Sequence, residues 1–187
     1  MRKLILKMHL SVDGFVSGPN GELDWVFATI DDDVTAWIVD RLWQAGVHIM
    51  GGVTYNDMAA YWPNANMQTP QDKPFAAPMN EIPKVVFSKT LKDATWTDSR
   101  IARGDLREEI ARLKQQPGKP ILAHGGARFA QSLSKLDLID EYRLVTHPVA
   151  LGGGSPLFKD LPGVLNLKLQ SAKSFPSGVV AHVYERT

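Results

Sequence analysis

Apolar residues in the first half of the chain follow two patterns that predict alternating strands and helices. Continuous apolar runs at residues 3–10, 47–50 and 84–87 predict strands. Helical spacing predicts two helices between these runs, the first behind an acidic start at residues 31–33 and the second stopping at Pro63. The apolar faces of these helices are formed by Val34, Trp37, Ile38, Leu42 and Ala45 in the first, and by Tyr55, Met58, Ala59 and Trp62 in the second.

The second half of the chain continues this alternation and then changes to strands that pair with each other. Residues 63–82 are polar and proline-rich and predict a long surface segment with room for a short helix. Asp105 and Glu108 cap a predicted helix, and a strand at 121–124 is followed by a helix from residue 127. Apolar runs at 141–148, 164–175 and 179–185 predict further strands, with the last two joined as a hairpin.

The order of these elements predicts an α/β fold. Strands that alternate with helices favour a mainly parallel central sheet with flanking helices, and the late hairpin adds an antiparallel edge. Neither an internal repeat nor a linker interrupts the pattern. Residues 1–187 are therefore expected to form a single domain.

Composition narrows the functional classes. Lys and Arg (21) balance Asp and Glu (20), so no strong field favours nucleic acid or an anionic membrane. No apolar stretch approaches the ~20 residues of a membrane span, and Lys7 and His9 interrupt the one N-terminal run that resembles a signal peptide. The chain has no cysteine and its five histidines are scattered, so we expect no metal site and a cytoplasmic protein.

Two glycine pairs stand where a strand gives way to a helix. Gly51-Gly52 follows one predicted strand, and Gly125-Gly126 follows another. Glycine lets the backbone adopt unusual dihedrals and lets a ligand lie on the chain, and the helix behind it presents unpaired N–H groups that suit a phosphate. Two such turns at one sheet edge can hold a pyrophosphate-bridged cofactor, or they can be compact turns without a ligand.

A third strand end carries polar side chains that suit a phosphate monoester. Ser88, Lys89 and Thr90 follow the predicted strand 84–87 and supply a cation between two hydroxyl groups. This set fits the 2′-phosphate that distinguishes NADPH from NADH. The alternative is a solvated lysine at the end of a strand.

Six segments in a fixed order give the chain a family resemblance. They are Ser11-Val12-Asp13-Gly14, Met50-Gly51-Gly52-Val53-Thr54-Tyr55, residues 84–91, Gly125-Gly126-Ala127, Ile139-Asp140-Glu141-Tyr142, and residues 148–154 with Pro156-Leu157-Phe158. The chain resembles the dihydrofolate reductase-like superfamily, and most closely the reductase (C-terminal) domain of the riboflavin-biosynthesis protein RibD. The resemblance spans nearly the whole chain and implies the superfamily's three-layer fold, a homodimer to which the hairpin 164–185 contributes, and NADPH as the cofactor.

The same resemblance implies a cofactor site made by the three strand ends. One helix start would lie under the pyrophosphate, the Ser-Lys pair would meet the 2′-phosphate, and the second glycine turn would cradle the pyrophosphate or the nicotinamide side. The residues are, in that order, Gly51, Gly52, Val53 and Thr54; Ser88 and Lys89; and Gly125, Gly126, Ala127 and Arg128. In the family the peptide between the second pair of glycines is often cis.

The substrate side is implied less completely. Asp13 matches the family's S-x-D-G signature and would lie near the nicotinamide, although Asp-Gly is also a common turn. Asp24 and Trp25 fall in the loop that closes over the cofactor in this superfamily, where Trp25 can equally anchor the loop in the core. Tyr55 either borders the substrate pocket or packs in the core. The proton for reduction is expected from Asp13, Asp24 or water.

One departure from the family pattern concerns the substrate. RibD reductases usually have a basic residue after the S-x-D-G signature, and this chain has Phe15, which argues against a phosphoribosyl substrate. We therefore expect an NADPH-dependent reductase that passes hydride to a small heterocyclic or carbonyl acceptor. The alternatives are 5-amino-6-(5-phosphoribosylamino)uracil reductase of riboflavin biosynthesis and a non-catalytic nucleotide-binding protein.

Overall fold

The computed structural model describes residues 1–67 and 69–187 and contains ten strands and six α-helices in that part of the chain. The strands are β1 (Leu4–Ser11), β2 (Phe15–Ser17), β3 (Val47–Gly51), β4 (Lys84–Phe87), β5 (Ser99–Ala102), β6 (Ile121–Ala123), β7 (Glu141–His147), β8 (Ser155–Pro156), β9 (Leu167–Ser174) and β10 (Val180–Arg186). The helices are α1 (Asp24–Phe27), α2 (Asp32–Trp43), α3 (Gly52–Tyr61), α4 (Lys73–Glu81), α5 (Leu106–Gln115) and α6 (Ala127–Lys135), with a 3-10 helix at Trp62–Met67.

Eight of the strands form one sheet in the order β5-β4-β3-β6-β1-β7-β10-β9, and β2 pairs with β8 separately. The six strands from β5 to β7 are parallel, whereas β10 is antiparallel to both β7 and β9. The predicted fold class is confirmed: a mixed, mainly parallel sheet with flanking helices ends in an antiparallel hairpin. Because β3, β4, β6, β1 and β7 are parallel, their carboxyl ends meet at one edge of the sheet.

The alternation of side chains along β1 divides the interior into two layers. Leu4, Leu6 and Met8 point into the core that packs under α5 and α6. Ile5 points to the other face, where α2, α3 and α4 cover a second core. Each face of the sheet therefore buries apolar surface against helices, and six of the eight residues of β1 are buried.

Two sequence predictions were wrong at the far side of the sheet. The segment 63–82 contains the short helix for which the sequence left room, α4, but it does not lie on the surface throughout, because Ala76 and Met79 of α4 are buried; residue 68 of this segment lies outside the described residues. A whole strand, β5, was missed. Its pattern Ser99-Arg100-Ile101-Ala102 has one buried residue, so it lacks the continuous apolar run that marks the other parallel strands.

Candidate functional site

Three turns converge at the carboxyl edge of the sheet, as the sequence predicted. The Thr54 hydroxyl, in the first turn of α3, donates a hydrogen bond of 2.6 Å to the Gly125 carbonyl and so links the two glycine turns directly. A Cβ atom on Gly52 would lie 2.9 Å from the Ser88 Oγ, which places the third strand end against the first. The structure therefore brings Gly51-Gly52, Ser88 and Gly125-Gly126 into one site.

Gly126 has a backbone conformation and an environment that require glycine. Its φ of +118° lies outside the region open to other residues, and a Cβ atom there would stand 2.4 Å from the Thr54 Oγ1. A Cβ on Gly125 would lie 2.7 Å from the Met8 Sδ in β1. The expected cis peptide is absent from this turn, and the chain reverses through the dihedrals of Gly126 instead.

The other residues of the predicted cofactor site lie around these turns. The Ser88 Oγ accepts hydrogen bonds from the backbone N–H groups of Thr90 (3.3 Å) and Leu91 (3.0 Å), so the hydroxyl shapes the turn that presents Lys89. Lys89 is exposed. Val53 and Arg128 are also exposed, and Ala127 is half-buried at the start of α6. These side chains surround an open edge and leave it accessible to a ligand.

Asp13, predicted as catalytic and substrate-binding, joins two loops in the structure. Its carboxylate accepts hydrogen bonds from the Ser11 hydroxyl (2.6 Å) and from the backbone N–H groups of Leu151 and Gly152 (3.1 and 2.8 Å). These bonds, led by the one from Ser11, lower the pKa of Asp13. A carboxyl group that is ionised and occupied in this way is poorly suited to donate a proton, and we assign Asp13 a structural role.

The other predicted substrate-side residues separate into different environments. Asp24 is exposed at the start of α1. Tyr55 is buried in the core beneath α3, where its hydroxyl accepts a hydrogen bond of 2.9 Å from the Trp96 backbone N–H; of its two predicted positions, the structure shows the one in the core and not the one at the pocket. Trp25 lies half-buried with its ring edge-on to His147, at 5.3 Å between centroids and 84° between planes. Of these three residues, Trp25 is the one that contacts His147, a member of the hydrogen-bonded group of polar side chains below this edge.

A hydrogen-bonded chain of four polar side chains runs below this edge, and the sequence analysis did not anticipate it. The Lys7 Nζ lies 2.6 Å from the His9 Nε2, and the His9 Nδ1 lies 2.8 Å from the His147 Nε2. The His147 Nδ1 lies 2.6 Å from the hydroxyl of Thr29, in the segment between α1 and α2. We call Lys7, His9, His147 and Thr29 the Lys7 chain.

Strand geometry explains why these residues meet. Lys7 and His9 are two apart on β1 and therefore share one face, while His147 ends the neighbouring strand β7 beside Ser11. His147 is fully buried, whereas Lys7 and His9 are half-buried. The signal was present in the sequence as two polar residues in an otherwise apolar strand, a pattern that a purely structural strand would avoid.

Burial determines the charge of this chain. Desolvation lowers the pKa of Lys7 to about 8 and that of His147 to about 4, and it moves the pKa of His9 well below its ordinary range. The two imidazoles are therefore neutral near pH 7, while Lys7 is largely an ammonium.

A second buried histidine pair lies beside the first on the same face of the sheet. The rings of His48 on β3 and His124 after β6 meet edge-to-face at 4.5 Å between centroids. Desolvation lowers the pKa of His48 to about 3 and that of His124 well below its ordinary range. Within the described residues, no group of three or more His, Asp or Glu side chains is placed to hold a metal ion.

These buried imidazoles predict that the protein loses stability in mild acid. As the pH falls below 6.5, unfolded histidines take up protons that folded His9, His48, His124 and His147 do not accept, so the unfolded state binds more protons. Each contributes up to ~1.4 kcal/mol per pH unit, and the four together ~5 kcal/mol per unit between pH 6 and 5. Urea unfolding followed by circular dichroism at pH 7.5, 6.5 and 5.5 measures this slope.

Matched variants measure how much of this acid sensitivity comes from the His48–His124 pair. His48→Gln should reduce the slope by about one proton, whereas His182→Gln, on β10 and outside both pairs, should leave it unchanged. A wild-type slope of less than one proton between pH 6.5 and 5.5 would contradict the burial of neutral imidazoles.

Comparison with known proteins identifies relatives over almost the whole chain. A sequence model of the RibD C-terminal domain matches residues 2–181. The uncharacterized protein YyaP of Bacillus subtilis is 35% identical over 183 residues, which cover 98% of this chain and 94% of that protein. The crystal structure of a putative riboflavin biosynthesis protein from Shewanella sp. PV-4 is 24% identical, covers 99% of both chains and superposes with a TM-score of 0.79.

The fold is shared with a more distant enzyme. Dihydrofolate reductase from Enterococcus faecalis, in a complex with NADP(H) and RAB-propyl, superposes with a TM-score of 0.64 over 99% of this chain and 96% of that one. At 11% identity, this likeness concerns the fold alone. No helix among the described residues has the length and apolarity that a membrane span requires.

Proposed function

Because this chain belongs to the RibD C-terminal domain family, we propose that it is an NADPH-dependent reductase that transfers hydride to a small heterocyclic or carbonyl acceptor. Family and fold support a reductase of the dihydrofolate reductase-like class. The observation that carries the proposal is the convergence of three strand-end turns, joined by the Thr54–Gly125 hydrogen bond. The Lys7 chain, below this edge of the sheet, supplies the polar groups that acceptor reduction needs.

The residues at this edge fit a dinucleotide. Helices α3 and α6 both begin at glycine turns and present unpaired backbone N–H groups, which suit pyrophosphate oxygens. Gly51–Thr54 and Gly125–Arg128 would hold the pyrophosphate and nicotinamide side, and Ser88 and Lys89 would meet the 2′-phosphate. NADPH, when bound, supplies the hydride.

The protein's own contribution is alignment and a proton. A carbonyl or imine that gains a hydride at carbon gains negative charge on its oxygen or nitrogen. The Lys7 ammonium can stabilise this charge and then donate a proton, so that an N–H bond of Lys7 breaks as an O–H or N–H bond of the product forms. Lys7 thus takes the role that the sequence analysis gave to Asp13, Asp24 or water, and solvent restores its proton.

NADPH fluorescence titration followed by an acceptor screen tests this function. Wild-type protein should bind NADPH and then oxidise it with a member of a pteridine, pyrimidine and quinone panel. Binding without turnover on any acceptor would favour a non-catalytic nucleotide-binding protein. Failure to bind NADPH would contradict the proposal outright.

The second candidate, reduction of 5-amino-6-(5-phosphoribosylamino)uracil, is supported by the Shewanella structure, which is described as a putative riboflavin biosynthesis protein. Phe15 argues against it, because this half-buried residue pairs with Pro156 in the small sheet of β2 and β8 where the family has a basic side chain. An assay with the phosphoribosylaminouracil decides between the two.

Lys89 provides a test of cofactor preference. Lys89→Gln should raise the Kd for NADPH about fivefold, because an exposed lysine–phosphate contact is lost, while the Kd for NADH stays unchanged. Fluorescence titration with both cofactors measures the difference. Lys168→Gln, on the distant edge strand β9, is the matched control, and equal effects on both cofactors would place the 2′-phosphate elsewhere.

A further inference from the structure

The Lys7 chain connects the central strand β1 to the segment between α1 and α2. Its first member, Lys7, lies in the central strand β1, and its last, Thr29, follows α1. The Thr29 hydroxyl is also within reach of the Trp25 and Val26 carbonyls, at 3.3 and 3.4 Å. Four side chains and one backbone carbonyl thus form a continuous series of donors and acceptors.

The ammonium group of Lys7 determines the direction of every bond in this series. An ammonium has donors only, so the His9 Nε2 must accept. A neutral imidazole carries its proton on the other nitrogen, so the His9 Nδ1 donates to the His147 Nε2. The His147 Nδ1 then donates to the Thr29 Oγ1, whose own proton goes to a backbone carbonyl. One arrangement of protons satisfies all of these contacts.

We propose that His9, His147 and Thr29 are positioning residues that hold the Lys7 ammonium charged and oriented, so that the segment between α1 and α2 sets the pH range of proton donation. This inference rests on the proposed function, in which Lys7 gives the proton. The three residues act through Lys7 and make no direct contact with the reacting atoms.

The surroundings of Lys7 make the His9 lone pair its principal stabilising contact. The ionisable groups of the neighbouring elements are His124 after β6, with His48 behind it on β3, and Arg143 on β7, which pairs with Glu141. Arg41 on α2 interacts electrostatically with Arg143 and Glu141. Among the described residues, no carboxylate stabilises the ammonium, and its pKa is lowered to about 8 by desolvation. Loss of the His9 acceptor should therefore lower the pKa further.

Substitution of Thr29 interrupts the chain at its far end without touching Lys7. Thr29→Val keeps the shape of the side chain but removes the acceptor for the His147 Nδ1–H. His147 then favours the other tautomer, which opposes the His9 Nδ1–H and turns His9 to a form that no longer accepts from Lys7. The midpoint of Lys7 titration should fall by about one pH unit, a tenfold change in its protonation equilibrium. Thr29→Ser restores the hydroxyl and should restore the midpoint.

Nitrogen-15 NMR of the full-length protein measures both effects. Wild-type His9 and His147 should carry their protons on Nδ1 at pH 6.5, and the Lys7 Nζ should titrate near pH 8. Thr35→Val, on α2, makes the same substitution outside the chain and should shift neither tautomer nor midpoint. The pH profile of kcat/KM should be measured with an acceptor that wild-type protein reduces. In Thr29→Val, the decline of kcat/KM at alkaline pH should begin about one pH unit lower, while the Kd for NADPH stays unchanged.

Each outcome decides the inference. Equal Lys7 midpoints in wild-type and Thr29→Val protein, or a His9 proton on Nε2 in the wild type, would overturn it, as would a variant that loses stability alone. The NMR titration needs neither cofactor nor acceptor. A failure of NADPH binding or turnover would therefore contradict the proposed function and would leave the role of the chain to be decided by the tautomers and the midpoint.

Discussion

Lys7→Met is expected to lower kcat for acceptor reduction by about 10²–10⁴-fold while the Kd for NADPH stays within twofold. The range is that of a lost general acid. Methionine matches the length of the lysine stem and suits a desolvated position, so the fold should tolerate the change. Single-turnover oxidation of NADPH with an acceptor that the wild type reduces measures the chemical step separately from cofactor binding.

Two comparisons show whether the effect belongs to the proton. Lys7→Arg keeps a positive charge that does not deliver protons near neutral pH, so it should retain acceptor binding but not the rate. Lys84→Met removes the other buried lysine on this face, which packs over Trp96 and donates to the Asn80 and Thr97 carbonyls; it should lower stability without lowering kcat of the folded enzyme. If the kcat of Lys7→Met stayed within threefold of wild type, Lys7 would not be the proton donor, and Asp13, Asp24 or water would take that role.

Gly126→Val is expected to raise the Kd for NADPH by more than a hundredfold while the secondary structure is retained. A β-branched residue at φ +118° is strained by about 1–3 kcal/mol, and its Cβ would stand 2.4 Å from the Thr54 Oγ1. The turn must therefore move, which breaks the Thr54–Gly125 hydrogen bond and displaces the start of α6. Fluorescence titration with NADPH and far-ultraviolet circular dichroism measure the two halves of this expectation.

Gly163→Val serves as the matched control because a Cβ at Gly163 meets open space and its φ is not positive. This variant should bind NADPH like the wild type. If Gly126→Val also bound NADPH normally, the glycine turn after β6 would not be part of the cofactor site. If Gly126→Val failed to fold, Thr54→Val would test the same link between the turns with a milder change.

Backbone features of the site were predictable from the sequence because local chemistry specifies them. Gly51-Gly52 and Gly125-Gly126 each follow a buried strand. The carboxyl ends of parallel strands lie at a common edge of the sheet, independently of the conformation of the connecting loops. The predicted ends of the helices that follow these turns agree with the structure to within two residues, because apolar spacing and the stop at Pro63 are local signals. The main feature of these turns that local signals do not specify is the Thr54–Gly125 hydrogen bond, because it joins residues 71 positions apart.

The Lys7 chain was not predictable in the same way. Lys7 and His9 interrupt an apolar run, but the sequence does not show what they contact. Their partner His147 lies on β7, 138 positions from His9 along the chain. Asp13 matched a signature, but its partners Leu151 and Gly152 come from a loop whose path depends on the whole fold. Tyr55 has the spacing of both a core and a pocket residue, and the distinction depends on Trp96, which no local pattern connects to α3.

The outer strand of the hairpin has a consequence for the behaviour of the protein in solution. β9 is almost wholly exposed and has a neighbour on one side only, so its free N–H and C=O groups could template the addition of a foreign strand and start aggregation. Lys168 and Lys173 place positive charges along this strand, as natural sheets do to repel such additions. We therefore propose that the homodimer expected from the family buries the hairpin face around Leu169 and Tyr184, while charge keeps the edge of the sheet unpaired.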